Sequence, residues 1–265
     1  MSEDYEYRGL VAEAWDLLRG DTSTWTDRLF WRRLIDEGGQ PALDVGCGTG
    51  RLLLPYLADG LDVDGVDISP EMLALCRAKA AAQGIDVSGR LHQQAMDQLD
   101  LSRRYPLIFV PSLSFQLLLE PEEVEAAMVR FRDNLAPAGQ LALSFNAKFW
   151  RGRQPPPQMQ WSDWEVLAEQ PRADDDTVIR RWIRVRYDHV QQLQHEENRY
   201  EVLRDGSVIR TEHHGRSPAV RWYSVTQATA LFERAGFTDI LVTAEDGFEP
   251  AAPEQSRFKI RGVRP

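Results

Sequence analysis

The chain has 265 residues, of which 43% are hydrophobic and 27% charged, and a formal net charge of -10. That balance suits one large domain, or a domain with an insertion, able to bury a real core. With no basic stripe in view, a sequence-independent grip on nucleic-acid phosphates is not expected. Neither Cys47 nor Cys76 sits in a zinc-ligating spacing, so no metal site is expected either. The opening MSEDYEYRGL is acidic where a secretory signal is basic, and no apolar run approaches the roughly 20 residues that span a bilayer. A cytoplasmic protein without membrane association is the expectation.

Tyr7, Val11, Ala14, Trp15 and Leu18 share one helical face, predicting an amphipathic helix at the start. PALDVG (41–46) reads as a buried strand, with a helix beginning over 51–58, and LDVDGVDIS (61–69) reads as a second strand. Ser69 is placed to cap the next helix with Pro70 at its first position, and Gly84 closes that helix. Strands are predicted over 87–96 and 106–115, a helix over 121–135 and a strand over 140–147. Strands alternating with helices imply a doubly wound, mostly parallel sheet with helices on both faces.

After residue 150 the rhythm changes. A proline run, QPPPQ, and an acidic run, Asp174–Asp176, precede segments that alternate apolar and polar residues. Asp205–Gly206 between two of them signals a tight hairpin. Residues 151–223 are read as an antiparallel insertion after the fifth strand. A helix over 224–237 and strands over 239–245 and 257–264 then complete the core. The expected division is 1–150 for an opening helix and cofactor-binding core, 151–223 for the insertion, and 224–265 for the end of the core. The insertion's edge strands would suit a homodimer interface.

LDVGCGTG follows the first strand directly, where open α/β sheets bind ligands. A dinucleotide fingerprint, G-x-G-x-x-G, counted from Gly46 needs its third glycine at position 51, and the chain has Arg51 there. No Lys follows Gly50, so the P-loop pattern fails as well. Close backbone approach by a ligand without phosphates explains the loop better.

The pattern Asp44, Gly46, Gly48, Gly50, followed by Asp67 after the second strand, resembles the first motif of class I S-adenosylmethionine-dependent methyltransferases. The resemblance implies a seven-stranded Rossmann-like sheet and S-adenosylmethionine as cofactor. Asp67 would accept both ribose hydroxyls, and Asp44 would act toward the ammonium of the amino-acid arm. The resemblance also implies Cys47, Ile68 and, after the fourth strand, Pro111 as cofactor-binding residues. Met72 and Leu73 in GVDISPEML would pack under the ribose and adenine. Relatives usually carry an Asp, ahead of an apolar residue, for the adenine amino group. Here QQAMDQL places Ala95 before Met96, leaving Gln94 or Asp97 as replacements. Trp15 occupies the position of the cofactor lid of relatives.

VPSLSFQLL after the fourth strand departs from the [DN]-P-P-[YF] signature of enzymes acting on planar exocyclic amines, and is similar to the aminosugar N-methyltransferase branch. A small-molecule acceptor, methylated on nitrogen or oxygen, is the implied substrate. Candidates on the acceptor side are Ser112, Ser114, Gln116, Asn146, His213, His214 and Tyr223, although turn, cap or surface roles suit several of them equally well. His213 and His214 point to opposite faces of a strand and do not suggest a metal site. Arg180, Arg181, Arg184 and Arg186 read as a solvated face balancing the acidic run. A NAD(P)-type oxidoreductase and a methyltransferase fold without turnover are the alternatives.

Overall fold

The computed structural model describes residues 7–148, 154–173, 175–252 and 255–265. Helix α1 (Leu10–Arg19) is followed by α2 (Asp27–Gly38), then β1 (Ala42–Val45), α3 (Leu53–Ala58), β2 (Val63–Asp67), α4 (Pro70–Ala82), β3 (Leu91–Gln93) and β4 (Tyr105–Val110). After α5 (Pro121–Asn134) and β5 (Leu135–Asn146) come β6 (Glu165–Pro171), β7 (Val178–Asp188), β8 (Leu193–Arg204) and β9 (Ser207–Arg221). Helix α6 (Val225–Arg234), β10 (Thr238–Ala244) and β11 (Arg257–Val263) end the chain.

The large sheet has seven strands in the order β10-β11-β5-β4-β1-β2-β3. Strands β1 to β5 pair in parallel, while β11 runs antiparallel to both β5 and β10. Every residue of β1 and β2 is buried, as central strands covered on both faces require. Ser69 accepts the Met72 N–H and Pro70 opens α4, as its sequence predicts. The strand expected over 106–115 stops at Val110, because Ser112 and Leu113 take positive φ and turn the chain into a short 3-10 segment.

Helix α2 carries Phe30, Trp31, Leu34 and Ile35 on one buried face, with Arg32–Asp36 and Arg33–Glu37 pairs on the other. The ring of Trp31 stacks on Phe109 at 5.6 Å.

The second sheet is antiparallel, in the order β6-β7-β8-β9. Asp205 and Gly206 join β8 to β9 with φ of 49° and 75°, the left-handed pair that a two-residue hairpin turn of this kind requires. The chain divides into two compact units that differ from the division expected from sequence. One comprises the described residues within Met1–Thr22 and Trp150–Arg221, and the other those within Ser23–Phe149 and Trp222–Pro265. Helix α1 therefore goes with the insertion rather than with the core. Leu10, Val11 and Ala14 bury against Ile179, Tyr200 and Val202, and the Glu212 carboxylate accepts the Leu10 N–H at 2.8 Å.

The four arginines of β7 also depart from expectation. Arg180, Arg184 and Arg186 stack on tryptophans instead of standing in solvent. Arg186 lies 4.7 Å from the Trp161 ring, Arg184 lies 5.0 and 5.1 Å from Trp161 and Trp164, and Arg180 lies 5.8 Å from Trp182. Arg199 of β8 fills the gap, 5.4 Å from Trp164 and 4.8 Å from Trp182. Arg180 also pairs with Glu169, and Arg184 with Glu197. Arg181, one residue out of phase, turns to the opposite face and donates to Asn198. Of the acidic run, Asp175 bonds Arg172 and Thr177 rather than any of these four, and Asp174 lies outside the described residues.

The carboxylate at the start of α1 complements the helix dipole and fills an otherwise open N–H. Replacing Glu212 by Ala should cost about 1 kcal/mol and speed hydrogen exchange in the first turn of α1 well beyond its effect on α5. Unchanged exchange at residues 10–14 would mean that Glu212 does not hold that helix.

Candidate functional site

Strand order reverses between β1 and β4, so the loops leaving their carboxyl ends separate and open a crevice. From β1 the chain turns at once. The N–H groups of Gly46 and Cys47 both donate to the Val66 carbonyl, and the Gly48 N–H donates to the Asp67 carboxylate at 2.8 Å. The other Asp67 oxygen accepts the Ser69 N–H at 2.9 Å. Burial raises the Asp67 pKa, opposed by these backbone bonds.

The three glycines answer to three different constraints. A Cβ on Gly46 would stand 2.8 Å from the Ser114 hydroxyl, so this glycine lets the β1 and β4 loops touch. A Cβ on Gly50 would meet Cys76 Sγ and Leu54 at 2.7 Å, so it serves packing beneath the loop. Gly48 has φ of +55° and only the Met72 methyl at 3.4 Å, which leaves the conformation rather than space as its reason. The Cys47 thiol points inward against Gly65, and burial pushes its pKa up. Met72 and Leu73 are likewise buried, and the Met72 methyl lies next to Gly48 of the loop. Ile68, beside Asp67, is instead 42% exposed, an apolar side chain left uncovered next to the crevice.

Asp44, at the end of β1, is 1% exposed, and neither carboxylate oxygen has a hydrogen-bond partner. Burial raises its pKa to about 7, opposed by the charge of Arg51. Arg51 forks onto Asp27 at 2.9 and 2.6 Å, donates to the Ser112 hydroxyl at 3.1 Å, and lies 5.1 Å from the Trp25 ring. The sequence reading noticed Arg51 only as the residue that breaks a dinucleotide fingerprint. A charge where a glycine was expected was the available signal.

Opposite the glycine loop, Pro111 is buried and Ser112 and Leu113 have φ of 56° and 66°. The turn is pinned by the Leu113 N–H on the Ser144 hydroxyl and by the Ser114 hydroxyl on the Pro111 carbonyl. Gln116 is not a helix cap. Its amide donates to the Asn146 carbonyl and accepts the Asn146 N–H, closing the ends of β4 and β5. The Asn146 side chain accepts the Lys148 N–H.

At the β3 end, Ala95 leads into a short 3-10 turn whose Met96 methyl lies 3.6 Å from a Cβ placed on Gly46. Gln94 bonds both backbone groups of Asp100, which fixes its amide at this turn. Tyr223 packs its ring against Phe145 at 5.5 Å, in the core. His214 bonds Glu212 and meets Tyr200 edge-on at 5.7 Å, while His213 is exposed. Trp15 belongs to the smaller unit, edge-on to Tyr7 at 4.8 Å with Arg19 over its ring.

These residues fit the cofactor that the sequence implies. Each Asp67 oxygen has accepted one N–H and keeps a second lone pair, suiting two neighbouring ribose hydroxyls. An unpartnered buried carboxylate at Asp44 suits an ammonium.

Comparison with known proteins agrees. Residues 42–139 match the methyltransferase domain family. A protein of Geobacillus sp. (strain WCH70) named as a methyltransferase is 26% identical over 224 residues, 84% of this chain and 83% of that protein. The dTDP-3-amino-3,6-dideoxy-alpha-D-glucopyranose N,N-dimethyltransferase of Streptomyces fradiae is 30% identical over 140 residues, 51% of this chain and 52% of that protein. The crystal structure of Streptomyces venezuelae DesVI shares the fold, with a TM-score of 0.70 at 20% identity over 98% of this chain and 100% of that one.

Two outcomes follow for cofactor binding. An ammonium prefers ionised Asp44, so binding releases the proton that burial holds there. S-adenosylhomocysteine affinity should therefore rise with pH toward about 7 and level off above it. Asp44→Asn should both weaken binding and flatten that profile in calorimetry; a profile unchanged by the substitution removes Asp44 from the site. Asp67→Ala should lose about 2–4 kcal/mol of binding, well over tenfold in Kd. An unaltered Kd would exclude the ribose assignment.

Proposed function

We propose that the chain is a class I S-adenosylmethionine-dependent methyltransferase and that it methylates an amino nitrogen of a small molecule. The bound cofactor supplies an electrophilic methyl on a sulfonium, whose departure as a neutral thioether asks little acid–base work of the protein. Asp67 and Asp44 hold and orient, while the β4 and β5 loops line the side where an acceptor arrives.

The observation that carries the nitrogen reading is the chemistry of that rim. Among the described residues at the ends of β4 and β5, the polar side chains Ser112, Ser114, Gln116 and Asn146 are neutral, and several are already committed. Ser112 accepts from Arg51, Ser114 donates to Pro111, and Gln116 bridges the Asn146 backbone. An amine can arrive with its lone pair free, whereas a hydroxyl needs a base in reach. The names of relatives point the same way: the Streptomyces fradiae protein and its Streptomyces venezuelae counterpart are both dTDP-aminosugar N,N-dimethyltransferases.

We assign acceptor choice to residues 151–223. The residues fitted to the cofactor all lie earlier in the chain, and this segment leaves the core just after β5, at the carboxyl ends of the parallel strands.

Incubation with S-adenosylmethionine and a panel of aminosugars, simple amines and matched hydroxyl compounds, read by mass spectrometry, tests the reading. Methylation confined to amines is expected. Products methylated only on oxygen, or none with any amine while the cofactor binds, would refute it.

A further inference from the structure

The amino-acid arm of this cofactor is a zwitterion, with its carboxylate and ammonium on the same carbon. A site that takes the ammonium on a buried carboxylate must meet the cofactor's own carboxylate close by, and an unpaired carboxylate is costly to bury.

The cation beside Asp44 is Arg51, whose charge is the main influence opposing the burial of that residue. Yet Arg51 does not close onto Asp44. Its guanidinium is drawn aside by the fork to Asp27 at 2.9 and 2.6 Å, by Ser112 at 3.1 Å and by the Trp25 ring at 5.1 Å. Both oxygens of Asp44 are consequently left without partners. The result is a negative group and a positive group held near each other without a bond between them. The Arg51 side chain is only 12% exposed, so water competes weakly for it. Of the five N–H groups of a guanidinium, Asp27 and Ser112 occupy three, leaving donors for a second anion.

We propose that Arg51, held off Asp44 by Asp27 and Trp25, receives the carboxylate of the cofactor's amino-acid arm while Asp44 receives its ammonium. Asp27 is a positioning residue in this arrangement: it keeps the guanidinium from collapsing onto Asp44 and fixes the plane of its fork. The inference rests on the cofactor assignment above and adds to it a source of selectivity for an intact amino acid.

Calorimetry with three ligands separates this role from simple bracing of α2. S-adenosylhomocysteine has the whole arm, its decarboxylated analogue keeps the ammonium only, and 5′-methylthioadenosine has neither group. Arg51→Met should weaken S-adenosylhomocysteine by about tenfold or more and the other two by no more than about threefold, since only the first loses a charge-assisted fork. Arg51→Lys keeps the charge without the fork, disturbs the fold less, and should lose a smaller share on the same ligand alone. Equal weakening of all three ligands, or none, would overturn the proposal. If the unmodified chain fails to bind S-adenosylhomocysteine, the cofactor assignment itself falls, and this inference with it.

Discussion

One carboxylate ties together the floor of the crevice. Asp67 accepts the Gly48 N–H with one oxygen and the Ser69 N–H with the other, so it joins the loop after β1 to the entry of α4. Both donors are backbone groups, one in the turn after β1 and one at the cap of α4, so the carboxylate cannot swing without breaking the turn that presents it. A buried acid with no cation against it must be hydrogen-bonded to survive, and here the backbone supplies those bonds. The left-handed turn at Gly48, the capped start of α4 and the exposed Ile68 all inherit their places from this one group.

Much of the core was legible because its signals are local. An apolar strand before a glycine turn, Ser69–Pro70 at a helix start, and Asp205–Gly206 between alternating runs each fix their own few residues. Helix α2 escaped notice although its Phe30/Leu34 and Trp31/Ile35 spacing and its i,i+4 ion pairs are ordinary helix signals. The end of β4 was beyond such reading. Nothing in PSLSF announces left-handed backbone at Ser112 and Leu113, which the neighbouring β5 imposes through Ser144.

Within the site, the motif marked the turn that brings Asp44 and Asp67 to one crevice, while Gly46 lets two loops touch and Cys47, Gly50 and Met72 are set by the packing beneath. A motif marks where the backbone bends; which side chains then face inward depends on the layer below. The alternation of Trp161, Trp164 and Trp182 with four arginines was invisible for a related reason. Its members come from β7, β8 and the segment before β6, and only strand register brings them side by side. Each stacking contact contributes about 0.5–1 kcal/mol at an exposed site. The ladder's larger effect is to immobilise long side chains on one face of a thin sheet.

The make-up of the smaller unit has a bearing on how the chain is made. Its helix α1 precedes β1 to β5 in the chain, yet the strands that bury Leu10, Val11 and Ala14 follow them, beyond residue 177. A ribosome adding about 5–20 residues per second would leave that apolar stripe uncovered for roughly ten seconds or more. Throughout that interval α1 is an uncovered amphipathic segment, open to chaperones and to other nascent chains. The polypeptide thus finishes its first element among its last, and closing that long loop is the entropic toll of the architecture.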